Sequence, residues 1–320
     1  MAGAIRKLQV LHVNDRGRLS RQWTDLVAYV LLPGLSVMLP AKISRRMLCR
    51  ASGWGWLLSN DAGQACALAG KHVQIADLQR WKRRWKQVEL VDVRDLYLLL
   101  FGRAGAVAQE VDGLDDLALC RDRVMVGMHW GPAISILKIL SLAGLRPAFP
   151  YRLPEPELLR MRPFYYLFCR LATVYLKRTL AERAVAVGGA GRVLQSMLNE
   201  PGSICVLMDA PPMAGRPSIR APVLGTVAAF NAGFPSMLAE RRKEYVLYAM
   251  TLAEDGSLRK KLELDGPFRA ENLQEFLDQY AAFLDRHLAA DSPQWRIWRA
   301  EHQFWGRPDE AAATDSGLYQ

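Results

Sequence analysis

From about residue 107 onward, the chain alternates short apolar runs with stretches of helical periodicity, and this alternation most limits its possible folds. The run 124–128 holds five apolar residues or glycine, as expected for a strand buried on both faces of a sheet. The stretch 271–290 places its apolar residues on one helical stripe. This pattern predicts an α/β fold with a mixed, mainly parallel sheet flanked by helices. We predict strands at 124–128, 147–151, 173–176, 203–208, 245–252 and 258–264, and helices at 132–143, 155–171, from about 191, 228–242 and 271–290.

Composition divides the chain into three predicted regions. Residues 1–106 are predicted to form a helical, apolar and basic region that associates with a membrane and packs on the core. Residues 107–308 are predicted to form the α/β core, and residues 309–320 a disordered tail.

Charge and cysteine content limit the partners and the compartment. The net charge of +10 favours an anionic partner, which could be nucleic acid, an acidic carrier protein or an anionic membrane. The five cysteines are odd in number and widely spaced, which predicts reduced thiols in a cytosolic compartment rather than disulfides or a metal site. The first 24 residues lack the apolar core and cleavage site of a secretory signal.

The segment 26–40 is the most apolar part of the N-terminal region. It is shorter than the roughly 20 residues that a membrane span requires, and Pro33 and Gly34 interrupt it. We therefore predict two short helices that lie in the membrane interface. Trp54 and Trp56 follow, and indole rings favour the level of the lipid headgroups.

The segment 80–86 places five cations and two tryptophans within seven residues, which suits an anionic lipid surface. A solvated helix face with snorkelling side chains would give the same pattern. Nucleic acid is a third interpretation, because aromatic rings among cations can stack on bases. No RNA- or DNA-binding motif accompanies the segment, so we expect no nucleic-acid partner.

His129 follows the predicted strand 124–128 and precedes a helix start at Pro132, a residue that suits the first turn of a helix. This position places the imidazole at the carboxyl end of a strand, beside a helix N-terminus that favours its neutral form. Neutral imidazole is the form that accepts a proton. His129 is therefore a candidate general base, and a structural histidine that caps the strand is the alternative.

Asp209 and Arg152 also follow predicted strands and should lie on the same edge of the sheet as His129. Asp209 could bind a cation, orient a base or anchor the proline-rich loop that follows it. Arg152 could hold a phosphate or carboxylate, or form a salt bridge with Glu155 or Glu157. The glycines near Gly188 lack the spacing of a nucleotide loop, and no paired metal-ligand histidines occur, so we expect no cofactor and no metal.

Five motifs occur in one order along most of the chain, and that order resembles the bacterial lipid A late acyltransferases, a branch of the lysophospholipid acyltransferase superfamily. The motifs are His129-Trp-Gly, Pro150-Tyr-Arg, Val206-Leu-Met-Asp, Ala221-Pro-Val-Leu-Gly with Ala228-Ala-Phe, and Pro293-Gln-Trp-Arg-Ile-Trp.

The resemblance implies a membrane-associated α/β fold at the cytoplasmic face of the bacterial inner membrane. It also implies acyl transfer from an acyl-carrier-protein or CoA thioester to a lipid hydroxyl, with His129 as general base and Asp209 as a catalytic acidic residue. The implied substrate-binding residues are Trp130, Gly131, Arg152 and Gly225, with Gly131 and the helix N–H groups offering an oxyanion site.

The chain departs from this family at one position. The family signature has an acidic residue five positions after the histidine, where this chain has Ile134. That acid orients the imidazole and stabilises its protonated form. Asp209 or another carboxylate could replace it, the acceptor could be an amine that loses its proton more easily, or the protein could bind lipid without catalysis.

The sequence therefore predicts an atypical acyltransferase with His129 as base and a lipid, glycolipid or pigment acceptor carrying a hydroxyl or amine. The alternative is a noncatalytic protein of the same fold that binds lipid or an acyl carrier.

Overall fold

The computed structural model describes residues 15–186, 190–212 and 217–306. Its strands are β1 (Val111–Asp112), β2 (Val124–Gly127), β3 (Phe149–Tyr151), β4 (Ala184–Ala186), β5 (Ile204–Leu207), β6 (Ser218–Val223), β7 (Thr226–Asn231), β8 (Glu244–Leu252) and β9 (Lys260–Arg269). Its helices are α1 (Asp15–Leu26), α2 (Leu32–Met38), α3 (Ala41–Ala51), α4 (Ser59–Ala69), α5 (Leu78–Leu100), α6 (Ala104–Ala108), α7 (Ile136–Leu142), α8 (Pro156–Met161), α9 (Pro163–Leu180), α10 (Ala190–Met197), α11 (Gly233–Glu240), α12 (Leu273–Asp291) and α13 (Glu301–Trp305).

The main sheet has five strands in the order β1-β9-β8-β2-β5. Strand β2 pairs in parallel with both β5 and β8, and only the pairing of β8 with β9 is antiparallel. A parallel bridge from Ala148 to Ile204 then places the β3–β4 pair beside β5. This arrangement confirms the predicted α/β class with a mixed, mainly parallel sheet.

Helices cover both faces of the central strand β2. Val124, Val126 and Met128 share one hydrophobic cluster with α5 and α12, whereas Met125 on the opposite face packs with α7. Because successive strand residues point to opposite faces, a strand with helices on both sides must be apolar throughout. The long apolar run in the sequence therefore marks the centre of the sheet.

The N-terminal helices and the sheet share one hydrophobic core. That core includes Leu48, Ala62 and Trp85 from the N-terminal region together with Val126 and Phe276. Helix α5 lies between the two parts, and the Asp77 side chain caps its start by accepting hydrogen bonds from the N–H groups of Gln79 and Arg80 at 2.9 Å.

The segment 26–40 does not form the two separate short helices that we predicted. A π-turn (Val27–Leu31) joins α1 to α2, so the chain is helical from Asp15 to Met38. Pro33 removes the helical donor of the Tyr29 carbonyl, and the Tyr97 hydroxyl replaces that donor at 2.8 Å. Among the described residues, none of the helices has the length and apolar character needed to cross a bilayer.

The basic and aromatic segment 80–86 is exposed only at Arg80 and Arg83, so it does not form the continuous lipid-binding stripe that its sequence allows. Trp81, Arg84, Trp85 and Lys86 are all buried. Arg84 binds Asp291 at 2.8 Å, and the Trp81 indole donates to the Ser292 hydroxyl at 2.9 Å. Trp81 and Arg84 therefore attach α5 to the end of α12.

Two further local predictions are wrong. The predicted strand 173–176 lies within α9, where Thr173 and Tyr175 are buried in a helix that contacts α5. The predicted helix 228–242 begins as β7, which pairs with β6 in a hairpin, and becomes helical only in α11. Three predicted features lie wholly or partly outside the described ranges: the glycine-rich stretch near Gly188, the end of the loop after Asp209, and the tail 309–320.

Candidate active site

His129 and Asp209 lie side by side because β2 and β5 are parallel and in register. Gly127 is paired with Leu207, and the N–H of Met208 donates to the Gly127 carbonyl at 2.9 Å. His129 and Asp209 are each the second residue after these paired strand ends. The register therefore brings the two side chains together at the carboxyl edge of the sheet, which is where ligands bind in open α/β sheets.

The Asp209 carboxylate accepts hydrogen bonds from three donors. Its Oδ1 lies 2.9 Å from His129 Nδ1, and its Oδ2 accepts from the His129 backbone N–H at 2.7 Å. Trp295 Nε1 donates to the same Oδ2 at 2.7 Å. The Asp209 side chain is fully buried, so these contacts hold it in one orientation.

This contact determines how His129 can act. A carboxylate accepts hydrogen bonds, so the proton of a neutral imidazole is assigned to Nδ1 and the lone pair to Nε2. Within the described residues, Nε2 has no hydrogen-bond partner, and 35% of the side chain is exposed. Asp209 thus orients the imidazole through Nδ1 and leaves Nε2 accessible, which is the arrangement of a histidine base supported by a carboxylate.

The segment after α12 runs antiparallel to the loop that carries His129. Trp295 forms a bridge with Trp130, the N–H of Arg296 donates to the His129 carbonyl at 2.8 Å, and the N–H of Gly131 donates to the Gln294 carbonyl at 2.9 Å. The segment is fixed in turn by Gln294, whose Oε1 accepts from the N–H of Leu252 at 2.7 Å. The C-terminal segment therefore orients both members of the His129–Asp209 pair.

The N–H groups of the loop after His129 already have acceptors inside the protein. Trp130 donates to Met128, Gly131 to Gln294 and Ala133 to Gly131, all at 3.1 Å or less, and Pro132 has no N–H. The N–H of Ile134 donates to the Asp92 carboxylate at 2.9 Å. The backbone from His129 to Ile134 therefore has no free N–H group that could serve the predicted oxyanion site at Gly131.

Asp92 connects this loop to Arg296. Arg296 forms ion pairs with Asp92 and, at 2.8 Å, with Glu89, and both carboxylates come from α5. Burial raises the pKa of the Asp92 carboxyl, against the lowering effect of Arg296 and of the Ile134 N–H. The backbone at Ile134 is therefore held by a carboxylate, although the Ile134 side chain supplies none.

The parallel bridge from Ala148 to Ile204 places the end of β3, and with it Arg152, at the predicted edge of the sheet, but among the described residues no side-chain hydrogen bond joins Trp130, Arg152 or Gly225 to His129 or Asp209. Trp130 is buried, and its Nε1 donates to the Thr251 hydroxyl at 3.2 Å. Arg152 is exposed and forms the alternative salt bridge with Glu155 at 2.6 Å. Gly225 occupies the turn between β6 and β7, where its φ of +72° suits glycine. Of the predicted site residues that the structure describes, His129 and Asp209 are joined by a side-chain hydrogen bond, and substrate contact by the remaining residues stays a prediction.

Sequence reasoning missed Asp92 and did not assign roles to Gln294, Trp295 and Arg296. A signal for Asp92 existed, since 88–100 is an apolar run in which Glu89, Asp92, Arg94 and Asp95 recur on a buried helix. Charges that are buried in a core require partners, and these could have been sought in the arginine of the motif 293–298.

No protein-family model matches the chain, and no curated protein matches it. The resemblance to the lipid A late acyltransferases thus rests on the order of the sequence motifs alone.

Proposed function

We propose that this protein is an acyltransferase that moves an acyl group from an acyl-carrier-protein or CoA thioester to the hydroxyl or amine of a lipid, glycolipid or pigment acceptor. His129 Nε2 takes the acceptor proton as the acceptor oxygen or nitrogen bonds to the thioester carbon. The C–S bond then breaks, and the leaving thiolate receives the proton from the imidazolium.

The contact between His129 Nδ1 and Asp209 Oδ1 at 2.9 Å carries this proposal. The family's usual acid is replaced by Ile134, and Asp209 from the neighbouring strand supplies a carboxylate in its stead. A buried carboxylate behind the imidazole both sets the tautomer and stabilises the positive charge that forms during proton transfer. Of the three explanations for the missing acid, this contact favours replacement by Asp209.

The test incubates the purified protein with radiolabelled acyl carrier proteins, acyl-CoAs and a bacterial membrane extract, and follows label in extracted lipid. We expect a labelled product with the natural protein and none with His129→Gln. Asp209→Asn should lower the rate by about 10³ to 10⁴, since neutralising the equivalent acid in a protease costs about 10⁴.

Two controls make the result decisive. Arg286→Gln removes an exposed arginine on α12 that forms an ion pair with Asp265 and lies over the Phe283 ring, and neither contact involves His129 or Asp209, so it should leave transfer unchanged. Circular dichroism and thermal unfolding must show that His129→Gln remains folded. Full transfer by folded His129→Gln would reject the mechanism.

A second candidate function is noncatalytic binding of an acyl carrier or lipid. The observation that favours it is that every N–H from His129 to Ile134 already has an acceptor, which leaves this loop without a donor for an oxyanion. If the protein binds an acyl carrier with measurable affinity but gives no product with any donor, the binding function replaces the transferase.

A further inference from the structure

We propose that the helical run from Asp15 to Met38 and its neighbours form an in-plane docking surface for an anionic bilayer. The inserted residues are Leu19, Trp23, Leu31, Leu35 and Met38, which we call the apolar stripe. The proposal concerns where the protein binds and does not depend on acyl transfer.

The exposed apolar side chains concentrate in the N-terminal region. Among the described residues, ten of the seventeen exposed large apolar side chains precede residue 107, and Met38, with 82% of its surface exposed, is the most open of them. Single apolar residues on a surface are ordinary, but a contiguous apolar face usually marks an interaction site. The helical run has such residues along its whole length.

The π-turn brings the two halves of the stripe into line. Leu19 and Trp23 form one pair four residues apart, and Leu31 and Leu35 form another. In a regular α-helix, the eight residues from Trp23 to Leu31 would rotate the second pair by about 80°. The wider π-turn, in which the N–H of Leu32 reaches the Val27 carbonyl, rotates less per residue and removes most of this offset.

Additional apolar residues extend the surface at both ends of the run. Trp56 stacks on Trp54 at 5.6 Å and lines a small cavity together with Thr24 of α1, which places this pair beside the first half of the stripe. At the other end, Arg103 donates to the Val37 carbonyl and thereby ties the residues just after α5 to α2, and Phe101, which directly follows α5, is exposed.

The charge of the chain selects an anionic bilayer as the occupant. Residues 1–106 hold 17 Lys and Arg against 7 Asp and Glu, whereas residues 107–320 hold 25 of each. The whole net charge therefore belongs to the region that exposes the stripe. Lys42, Arg46 and Arg50 are exposed on α3, and none of them forms an ion pair with a described residue. Cations beside an apolar helix face are the combination that binds anionic lipid surfaces.

The test is vesicle flotation with the full-length protein. We expect strong binding when about a quarter of the lipid is phosphatidylglycerol, and binding at least about tenfold weaker to pure phosphatidylcholine at ~0.1 M salt. The double variant Leu35→Glu/Met38→Glu should weaken binding to the anionic vesicles by at least about tenfold, since it places two charges in the inserted face.

The matched control is Leu142→Glu/Val227→Glu, which adds the same charges at sites 56% and 60% exposed outside the docking surface. It should bind within about twofold of the natural protein, because its new charges are not placed in the inserted face. Both variants lower the net charge equally, so a difference between them reflects the position of the charges. An equal loss of vesicle binding in both variants, or vesicle binding that does not depend on the phosphatidylglycerol content, would overturn the proposal. Binding of the surface to an acidic carrier protein, with no binding to vesicles, would also overturn it.

Discussion

The Asp92 carboxylate accepts a hydrogen bond from the backbone N–H of Ile134 at 2.9 Å. Residue 134 is where the resembling family carries its acid, so this chain holds a carboxylate close to the expected position while presenting it to the backbone. The same carboxylate pairs with Arg296, whose backbone N–H binds the His129 carbonyl. Asp92 thus acts on His129 indirectly, by fixing both the loop after it and the segment beside it.

Restoring the family acid with Ile134→Glu should not restore a family-like enzyme. The new carboxylate would lie beside Asp92 and Glu89, with Arg296 already shared between them. We expect a loss of about 2 to 4 kcal/mol in the free energy of unfolding, measured by urea denaturation, and no gain in transfer rate. The neutral Ile134→Gln variant of similar shape should lose clearly less, and a faster Ile134→Glu enzyme would contradict this account.

The indole N–H of Trp295 should matter for activity beyond its effect on stability. Trp295→Phe removes the donor to Asp209 and retains most of the ring packing, whereas Trp298→Phe removes an equally buried donor to the Ser292 carbonyl. Both variants should lose about 1 to 3 kcal/mol of unfolding free energy. Only Trp295→Phe should lower kcat for acyl transfer with KM nearly unchanged. Equal effects of the two variants on kcat would assign Trp295 a purely structural role.

Two glycines with positive φ should respond differently to alanine. At Gly131, with φ +58°, an added Cβ would overlap the Met250 carbonyl oxygen, whereas at Gly225, with φ +72°, it meets open space. Gly225→Ala should cost about 1 to 2 kcal/mol from backbone strain alone. Gly131→Ala should cost at least about 3 kcal/mol more, because backbone must move. Thermal unfolding of both variants provides the comparison, and similar melting temperatures would contradict it.

The thiol of Cys169 should alkylate slowly at neutral pH although it is only half-buried. Burial raises its pKa to about 11, so roughly one molecule in a thousand carries the reactive thiolate at pH 8. Its rate with iodoacetamide, followed by peptide mass spectrometry, should rise nearly tenfold per pH unit between pH 8 and 10. A rate independent of pH would show that access, rather than ionisation, limits the reaction.

The central strands could be predicted because local composition alone identifies a strand that is covered on both faces. A strand covered by helices on both faces must be continuously apolar, and β2, β5 and β8 all satisfy this condition. The pairing of His129 with Asp209 was within reach for the same reason, since parallel strands bring their ends to one edge. What the chain alone did not reveal is that the two strands are adjacent and in register.

The predictions that proved wrong concern segments whose structure is decided by tertiary contacts. The tryptophans and cations at 81–86 resemble a lipid-facing stripe until α5 is seen packed under the segment that follows α12. The β7 strand was mistaken for helix because 228–232 is rich in alanine, and its pairing with β6 overrides that local preference. The role of Trp295 depends on a segment that reaches the site from far along the chain.

The position of Trp295 also has a consequence for biosynthesis. A ribosome releases the chain from its N-terminus, so the helices carrying the apolar stripe emerge long before the residue that completes the hydrogen bonding of Asp209. The nascent protein can therefore meet a bilayer before Trp295 has fixed the carboxylate that supports its histidine. The protein would then bind the membrane before its active site is complete. An acyl thioester that met the nascent chain earlier, in free solution, would find no complete active site.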